Sequence, residues 1–381
     1  MNYYKKSLEL HAKKKGKLEI KSKLPLNNKT DLSVAYTPGV AEPCREIAKN
    51  PAEAYKYTIK GNSVAVVTNG SAVLGLGNIG AQAALPVMEG KCVLFKKFAN
   101  IDAYPICLDT QNPKEIIKAV KLIAPGFGGI NLEDIKAPDC FEVEEKLEKE
   151  LDIPVFHDDQ HGTAIVTLAA LINSLKIVNK KINKIKIIIN GAGAAGIAVA
   201  KLLLAYGVKN IILIDSTGTI YPGREKLNSA KKEIAKVTNL KKENGKIEHV
   251  IKGSDVFIGI SVANVLKSEW VKIMAPKSIV FAMANPVPEI MPNQAKKAGA
   301  MIIATGRSDF PNQINNVLAF PGIFRGLLDN RAKKVTLKMK LEAAKTLASI
   351  VKNPTPDKII PSVFDKQIVK RISQSIKKCI N

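Results

Sequence analysis

Four carboxylates stand in apolar surroundings in two short stretches. Glu133 and Asp134 lie within Gly128-Gly129-Ile130-Asn131-Leu132-Glu133-Asp134-Ile135, and Asp158 and Asp159 within Val155-Phe156-His157-Asp158-Asp159-Gln160-His161. Carboxylates gathered with no matching arginine suit a hard divalent cation, Mg²⁺ or Mn²⁺, which takes oxygen ligands. The same residues also read as a solvated turn and, for Asp159, a helix cap. His157 and His161, four apart, raise zinc, but no cysteine or HExxH context accompanies them. Lys91, in Glu89-Gly90-Lys91-Cys92-Val93-Leu94-Phe95, enters an apolar run. Burial lowers a lysine pKa, which is what a general base requires; a surface lysine lying along apolar neighbours is the other reading. Tyr36, in Tyr36-Thr37-Pro38-Gly39-Val40-Ala41, reads by itself as a buried structural tyrosine.

Glycines spaced GxGxxG occur twice, at Gly75 to Gly80 and at Gly191 to Gly196. A dinucleotide site needs a strand before the glycines, a helix after them and an acid closing the next strand. The second copy has all three. Ile185 to Ile189 precedes it, Ile197 to Ala205 follows, and Asp215 closes Ile211 to Ile214, where it would meet the adenosine ribose. Gly191, Gly193 and Gly196 would let the backbone approach a pyrophosphate at a helix N-terminus. The first copy has no such acid and reads as a tight structural turn. Asp215 favours NAD, since a carboxylate repels a 2′-phosphate; Lys231 and Lys232 downstream offset this and keep NADP open.

The elements that must carry these residues alternate between strand and helix. Ser63 to Val67, Cys92 to Phe95, Ile106 to Leu108 and Val155-Phe156 read as strands, and Ala81 to Glu89 and Pro113 to Leu122 as helices. Thr163 reads as the cap of a helix over Ala164 to Ile177. Beyond the βαβ unit at the second glycine motif, strands are expected at Val256 to Ile260, Ser278 to Ala282 and Met301 to Ala304, as in a doubly wound sheet. The last fifty residues read as helices parted by Pro354 and Pro356. The fold class is α/β, in three parts: a mixed α/β domain over 1–160, a Rossmann-like NAD(P)-binding domain over 161–330, and helices over 331–381 that can pack back on the first domain.

The 381 residues carry 58 Lys and Arg against 34 Asp and Glu, a net charge of +24. The lysines are spread along the whole chain, as in Lys180-Lys181-Ile182-Asn183-Lys184, which describes a solvated coat. No basic stripe is interleaved with aromatics, which make up 5% of the residues, so nucleic acid is not an expected partner. No continuously apolar run reaches about 18 residues and no signal-type stretch opens the chain, so neither membrane insertion nor export is expected. Five cysteines without a CxxC pair fit a reducing cytoplasm.

Taken in order, these segments resemble the malic enzymes, in particular the short bacterial type. The matching pieces are Tyr36 to Ala41, Thr68-Asn69-Gly70 with Leu74 to Gly80, Leu85 to Phe95, Gly128 to Ile135, Val155 to Thr163, Gly191 to Gly196, Ala284-Asn285-Pro286 and Asn315 to Gly322. The resemblance implies oxidative decarboxylation of L-malate to pyruvate and CO₂ with NAD(P) and Mg²⁺ or Mn²⁺. It implies Glu133, Asp134 and Asp159 as metal ligands with Asp158 in support, Lys91 as general base and Tyr36 as general acid. It places Asn285 and Asn316 on the substrate carboxylates, gives 1–160 the substrate and catalytic role, and suggests a homodimer. An arginine that contacts malate in longer members is replaced here by Ala72, so another cation must serve; Arg307 is a candidate. A malolactic or oxaloacetate-decarboxylating enzyme would use the same residues with a different product.

Overall fold

Two parallel sheets organise the chain. The structure, a computed structural model, describes residues 3–73 and 75–380; Leu74, in the first glycine segment, lies outside the described residues. Four short helices come first: α1 (Tyr3–Lys14), α2 (Lys29–Ala35), α3 (Ala41–Lys49) and α4 (Ala54–Tyr57), none with a buried residue. The first sheet combines β1 (Ser63–Thr68), β2 (Asp102–Cys107), β3 (Gly129–Leu132) and β4 (Val155–His157) in the order β2-β1-β3-β4. The connecting helices are α5 (Gly80–Ala99), α6 (Pro113–Ile123) and α7 (Asp139–Glu150). Every residue of β1 is buried, as expected of a central parallel strand covered on both faces.

A long helix, α8 (Asp158–Val178), leads into the second sheet. There β5 (Lys186–Asn190), α9 (Ala194–Tyr206), β6 (Asn210–Asp215) and β7 (Gly218–Thr219) are followed by α10 (Ser229–Ala235) and α11 (Ile247–Val250). Then come β8 (Val256–Gly259), α12 (Ser268–Lys272), β9 (Ile279–Ala282), α13 (Pro292–Lys297) and β10 (Ile302–Thr305). The order is β10-β9-β8-β5-β6-β7, parallel except for β7, which turns back on β6. The order reverses at β5, so the crevice beyond its carboxyl end is where such sheets take a ligand.

The chain closes with α14 (Phe320–Asp329), α15 (Leu337–Ile350) and α16 (Gln367–Ile380). α14 packs on α5, α15 on α8 and α9, and α16 on α14 and α15. Asn173 of α8 donates to the carbonyls of Ala348 and Ile359, both at 2.9 Å. α8 has the length and apolarity of a membrane span, yet its apolar face is consumed inside the protein.

Two expectations are corrected. Cys92 to Phe95 is not a strand but the second half of α5. Ala84, Met88, Lys91, Cys92, Phe95 and Ala99 are buried at helical spacing, and Gly90 stands in the middle of the helix without ending it. The second correction concerns Thr163, which caps nothing: α8 begins five residues earlier, with His157 as its N-cap residue. Asp158 and Asp159 therefore occupy its first turn, where negative charge meets the positive end of the helix dipole.

The buried Glu144 of α7 ties these layers together. It accepts from the backbone N–H of His157 at 2.8 Å and from Gln160 Nε2 at 2.9 Å, and it pairs with His161 Nε2 at 2.9 Å. Burial would raise this carboxyl, but His161 and His157 outweigh it and hold the pKa at about 2, against 4.5 for an ordinary glutamate. The unfolded chain then takes up the proton first as pH falls. The carboxylate's contribution, on the order of 3 kcal/mol, is intact above pH 4.5 and lost as pH drops toward 2. Glu144→Ala is expected to destabilise the protein by roughly 3–5 kcal/mol near neutral pH. Urea denaturation across a pH series checks this: the variant must be less stable near neutral pH, and its unfolding free energy must fall less steeply than the wild type's as pH drops from 4.5 toward 2.

Candidate active site

The acids meet because of strand register. β3 and β4 are adjacent and parallel, with Leu132 opposite His157, so Glu133-Asp134 and Asp158-Asp159 leave the same edge of the sheet side by side. Ligand oxygens of Glu133, Asp134 and Asp159 all lie within 4.8 Å of one another. Asp134 holds a left-handed backbone (φ 54°) and its N–H donates to Asp159 Oδ2 at 2.8 Å; such geometry in a non-glycine residue is commonly stored at functional sites. Among the described residues no other group of acids, histidines or cysteines is close enough to share an ion. His161 is engaged by Glu144 instead.

Lys91 reaches this cluster from α5. Its ammonium donates to Asp158 Oδ2 at 2.7 Å, lies 2.9 Å from Glu133 Oε1 and stands 4.6 Å above the Phe320 ring. Lys91, Glu133 and Asp158 are all buried, so the surface-lysine reading falls. Burial disfavours the ammonium, as anticipated, but the carboxylates of Asp158 and Glu133 outweigh it and hold the lysine pKa above its ordinary value. That reverses the expected direction.

The carboxyls carry the opposing strain. Burial pushes Glu133 and Asp158 up to about 7, with Lys91 pulling back. Asp134, which makes no ion pair with Lys91, is driven by burial and by Asp159 to about 9. Asp159 is raised as well, chiefly by desolvation, an effect muted because its side chain is 32% exposed. Asp134 Oδ2 and Asp158 Oδ1 are buried without a hydrogen-bond partner. Buried oxygens left unpaired, in an all-oxygen donor set with surplus negative charge, fit a divalent cation.

Two residues that sequence reasoning missed hold the cluster. Asn131 Nδ2 donates to Glu133 Oε2 at 3.0 Å. Gly162, on α8, has no room for a side chain: a Cβ would come within 1.9 Å of Asp158 Oδ1 and 3.0 Å of the Asn316 Cβ. Gly162 is thus a spacer between Asp158 and Asn316, and Asn316 does border the cluster. Displacing Asp158 by about 1 Å misaligns Lys91, so Gly162→Ala is expected to lower kcat by about 10²-fold. Steady-state kinetics with a parallel melting curve separates this from unfolding; an unchanged kcat in a folded variant would contradict it.

The first glycine motif is a closed turn. The N–H groups of Ile79 and Gly80 both donate to the Gly70 carbonyl, at 3.0 and 3.2 Å. Gly75 adopts φ 74°, and a Cβ there would lie 2.8 Å from the Asn285 carbonyl oxygen. A Cβ on Gly306 would likewise lie 2.5 Å from the side-chain nitrogen of Asn285, in the loop after β9. Arg307 donates to the neighbouring Pro286 carbonyl at 2.9 Å while its fork is taken by Asp309 at 2.8 and 2.6 Å. Tyr36 ends α2 with 67% of its surface exposed, which corrects the reading of a buried tyrosine; its side chain makes no hydrogen bond to the acid cluster among the described residues.

The second glycine motif opens a cleft of about 530 Å³. Gly191 (φ 119°) leaves β5, and a Cβ there would lie 2.3 Å from the Ile260 carbonyl oxygen. A Cβ on Gly196 would meet Gly191 oxygen at 1.7 Å, whereas Gly193, at the start of α9, faces open space. That is room for a pyrophosphate against amide donors. Asp215 lines this cleft, as does Ala137, three residues past Asp134. The dinucleotide cleft therefore runs up to the loop that carries the acids.

This arrangement defines a nicotinamide-dependent oxidoreductase whose coenzyme cleft abuts an acid and lysine centre. Residues 15–148 match the family model "Malic enzyme, N-terminal domain" and residues 160–380 match "Malic enzyme, NAD binding domain". The bifunctional malic/malolactic enzyme of Bacillus subtilis is 56% identical, over 99% of this chain and 93% of its own. The NAD-dependent malic enzyme of Geobacillus stearothermophilus is 57% identical, over 95% of this chain and 76% of its own. Among solved structures, the Thermotoga maritima NAD-dependent malic enzyme superposes with TM-score 0.95 at 49% identity, over 97% of this chain and 98% of that one. The chain belongs to the malic enzyme family, the NAD(P)-dependent decarboxylating oxidoreductases of malate.

Proposed function

We propose that Lys91 and Tyr36 are the base and acid of the oxidative decarboxylation of L-malate to pyruvate and CO₂. The observation that carries this is Lys91 Nζ, 2.7 Å from Asp158 Oδ2 and 2.9 Å from Glu133 Oε1, at the rim of three carboxylates that fit one ion. Glu133, Asp134 and Asp159 would hold Mg²⁺ or Mn²⁺. When bound, the cation supplies positive charge where the substrate oxygen becomes negative, and NAD(P) accepts the hydride. In the ion-free protein Asp158 and Glu133 hold the proton on Lys91. With their charge offset by a bound cation, Lys91 would give up that proton and act as base toward the C2 hydroxyl, with Asp158 fixing its direction of approach. Asn285, in the loop after β9, and Asn316, beside Gly162 and Asp158, would orient the substrate carboxylates. Tyr36 returns a proton to C3.

Tyr36 stands in solvent within one chain, so that last role requires its segment to be brought over a cleft. A homodimer would do this. Residues 3–62 bury no side chain, and Tyr3, Tyr4, Leu8, Leu24, Leu32 and Val34 are exposed along them; a second copy would cover them. We assign the substrate and catalytic role to 1–160, the coenzyme to 161–330, and bracing of α8 to the helices of 331–381. The five cysteines are all free, as suits a cytoplasmic protein. Reduction of NAD or NADP by L-malate with Mn²⁺, with products quantified, tests the reading. Pyruvate equal to reduced coenzyme supports it. Lactate without net reduction, the malolactic outcome named for the Bacillus relative, overturns it in favour of that reaction.

A further inference from the structure

A buried carboxylate outside the acid cluster joins the loop that borders the coenzyme cleft to the loop that carries Asn285. Glu289, which follows β9, is 0% exposed. Its Oε1 accepts from the Ser261 N–H, in the loop after β8, and its Oε2 from the Ala284 N–H, in the loop after β9, both at 3.0 Å. Burial raises its pKa and these N–H groups oppose the rise, with no cation among the causes. A buried carboxylate without a cation is unfavourable unless hydrogen bonds hold it, and here both bonds come from loops. A Cβ on Gly259, the last residue of β8, would collide with the Glu289 Cδ, so the strand ends on a glycine where the carboxylate must pass. Ser261 lines the coenzyme cleft with Gly191, and its Oγ accepts from Asn190 Nδ2 at 2.6 Å. The Leu266 N–H donates to the Glu289 carbonyl at 3.0 Å and the Asn264 N–H to the Pro288 carbonyl at 3.1 Å, so the two loops lie against each other.

We infer, on the reading of Asn285 as a ligand of a substrate carboxylate, that Glu289 is a positioning residue which locks the Asn285 loop to the coenzyme loop, so that bound coenzyme tightens the hold on malate. Glu289 does not line the coenzyme cleft; its two oxygens set the spacing of Ser261 and Ala284. A coenzyme seated against Gly191 and Gly193 restrains the neighbouring Ser261, and Glu289 passes that restraint to the backbone just before Asn285. By linkage, malate raises coenzyme affinity by the same factor. Glutamine at this position keeps the size but turns an amide NH₂ toward one of the two N–H donors, so it can hold one loop only.

Trp270, the single tryptophan of the chain, lines the coenzyme cleft and reports binding without turnover. The full-length protein is titrated with NADH and with NADPH by tryptophan fluorescence, with Mn²⁺ throughout and L-malate absent or saturating; a reduced coenzyme cannot accept a hydride, so no reaction follows. L-malate is expected to tighten binding of the better-bound coenzyme by about fivefold or more in the wild type. Glu289→Gln should bring that ratio below about twofold, while affinity without malate stays within about threefold of the wild type. Ser261→Ala, at an exposed position, frees the coenzyme loop from Asn190; it should also lower the ratio, and it serves if Glu289→Gln does not fold. A ratio kept at the wild-type value by either folded variant overturns the inference. Equal weakening of binding with and without malate, the mark of a merely structural role, overturns it too. Malate that raises the melting temperature in Mn²⁺ but leaves wild-type coenzyme affinity unchanged overturns this inference alone. Malate that does neither overturns the substrate reading, binding of neither coenzyme overturns the cleft assignment, and the inference falls with each.

Discussion

Lys91→Ala is expected to lower kcat by about 10²- to 10⁴-fold, the range for losing a general base, with coenzyme affinity unchanged. The lysine touches neither the glycine turn nor Asp215. It meets Glu133, Asp158 and the Phe320 ring. Its loss also strips the only cation paired with those two buried carboxylates among the described residues, so the variant should need a divalent ion to stay folded. Two measurements separate the roles: turnover at saturating Mn²⁺, and melting with and without the ion. Lys91→Arg restores the positive charge but is a far weaker base, since guanidinium does not lose its proton in this range. It should recover much of the stability and little of the rate. Full rate in the arginine variant would mean that the charge alone matters and that the base lies elsewhere.

Asp159→Asn is expected to raise the Mn²⁺ concentration for half-maximal activity by about 10²-fold or more, above the loss seen when only a supporting partner of a ligand is removed. The same variant should show the opposite sign in the ion-free protein. Four carboxylates face one lysine here, and Asp159 is among the causes that raise both Glu133 and Asp134. Removing its charge relieves both, so ion-free Asp159→Asn should melt above the wild type. Mn²⁺ at about 100 times its dissociation constant then adds about 2.7 kcal/mol to the wild type and less to the variant, so the order of melting temperatures inverts on titration. Parallel melting curves at every Mn²⁺ concentration would remove Asp159 from the ligand set.

The coenzyme half of the protein was legible because its signal is local. Strand, glycines, helix and closing acid fall within about thirty residues, and each has one conformational reading. The acid cluster was legible as a list of residues but not as geometry, since the pairing of Leu132 with His157 is what makes two stretches into one site. Lys91 reads as entering a strand because α5 combines Gly90 with the apolar run Val93-Leu94-Phe95, which mimics a short buried strand. Gly162 falls before the helix expected after Thr163, whereas it lies within α8, where Asp158 and Asn316 leave no room for a side chain. Arg224 escaped notice because its ion pair with Asp215 depends on β7, a strand of two residues with no pattern to read.

The register of β3 and β4 also separates two contributions by chain distance. Asp134 and Asp159 are 25 residues apart and belong to one βαβ unit, while Lys91 is 67 residues from Asp158 and Asn316 arrives from beyond β10, the last strand of the second sheet. The closure entropy of the acidic pocket is paid within a short loop, and the remainder depends on the docking of distant parts of the chain. Ion affinity and turnover therefore need not fail together. On gentle heating, or after a mutation that loosens α15 or α16, the protein should lose its reaction first and surrender its metal last.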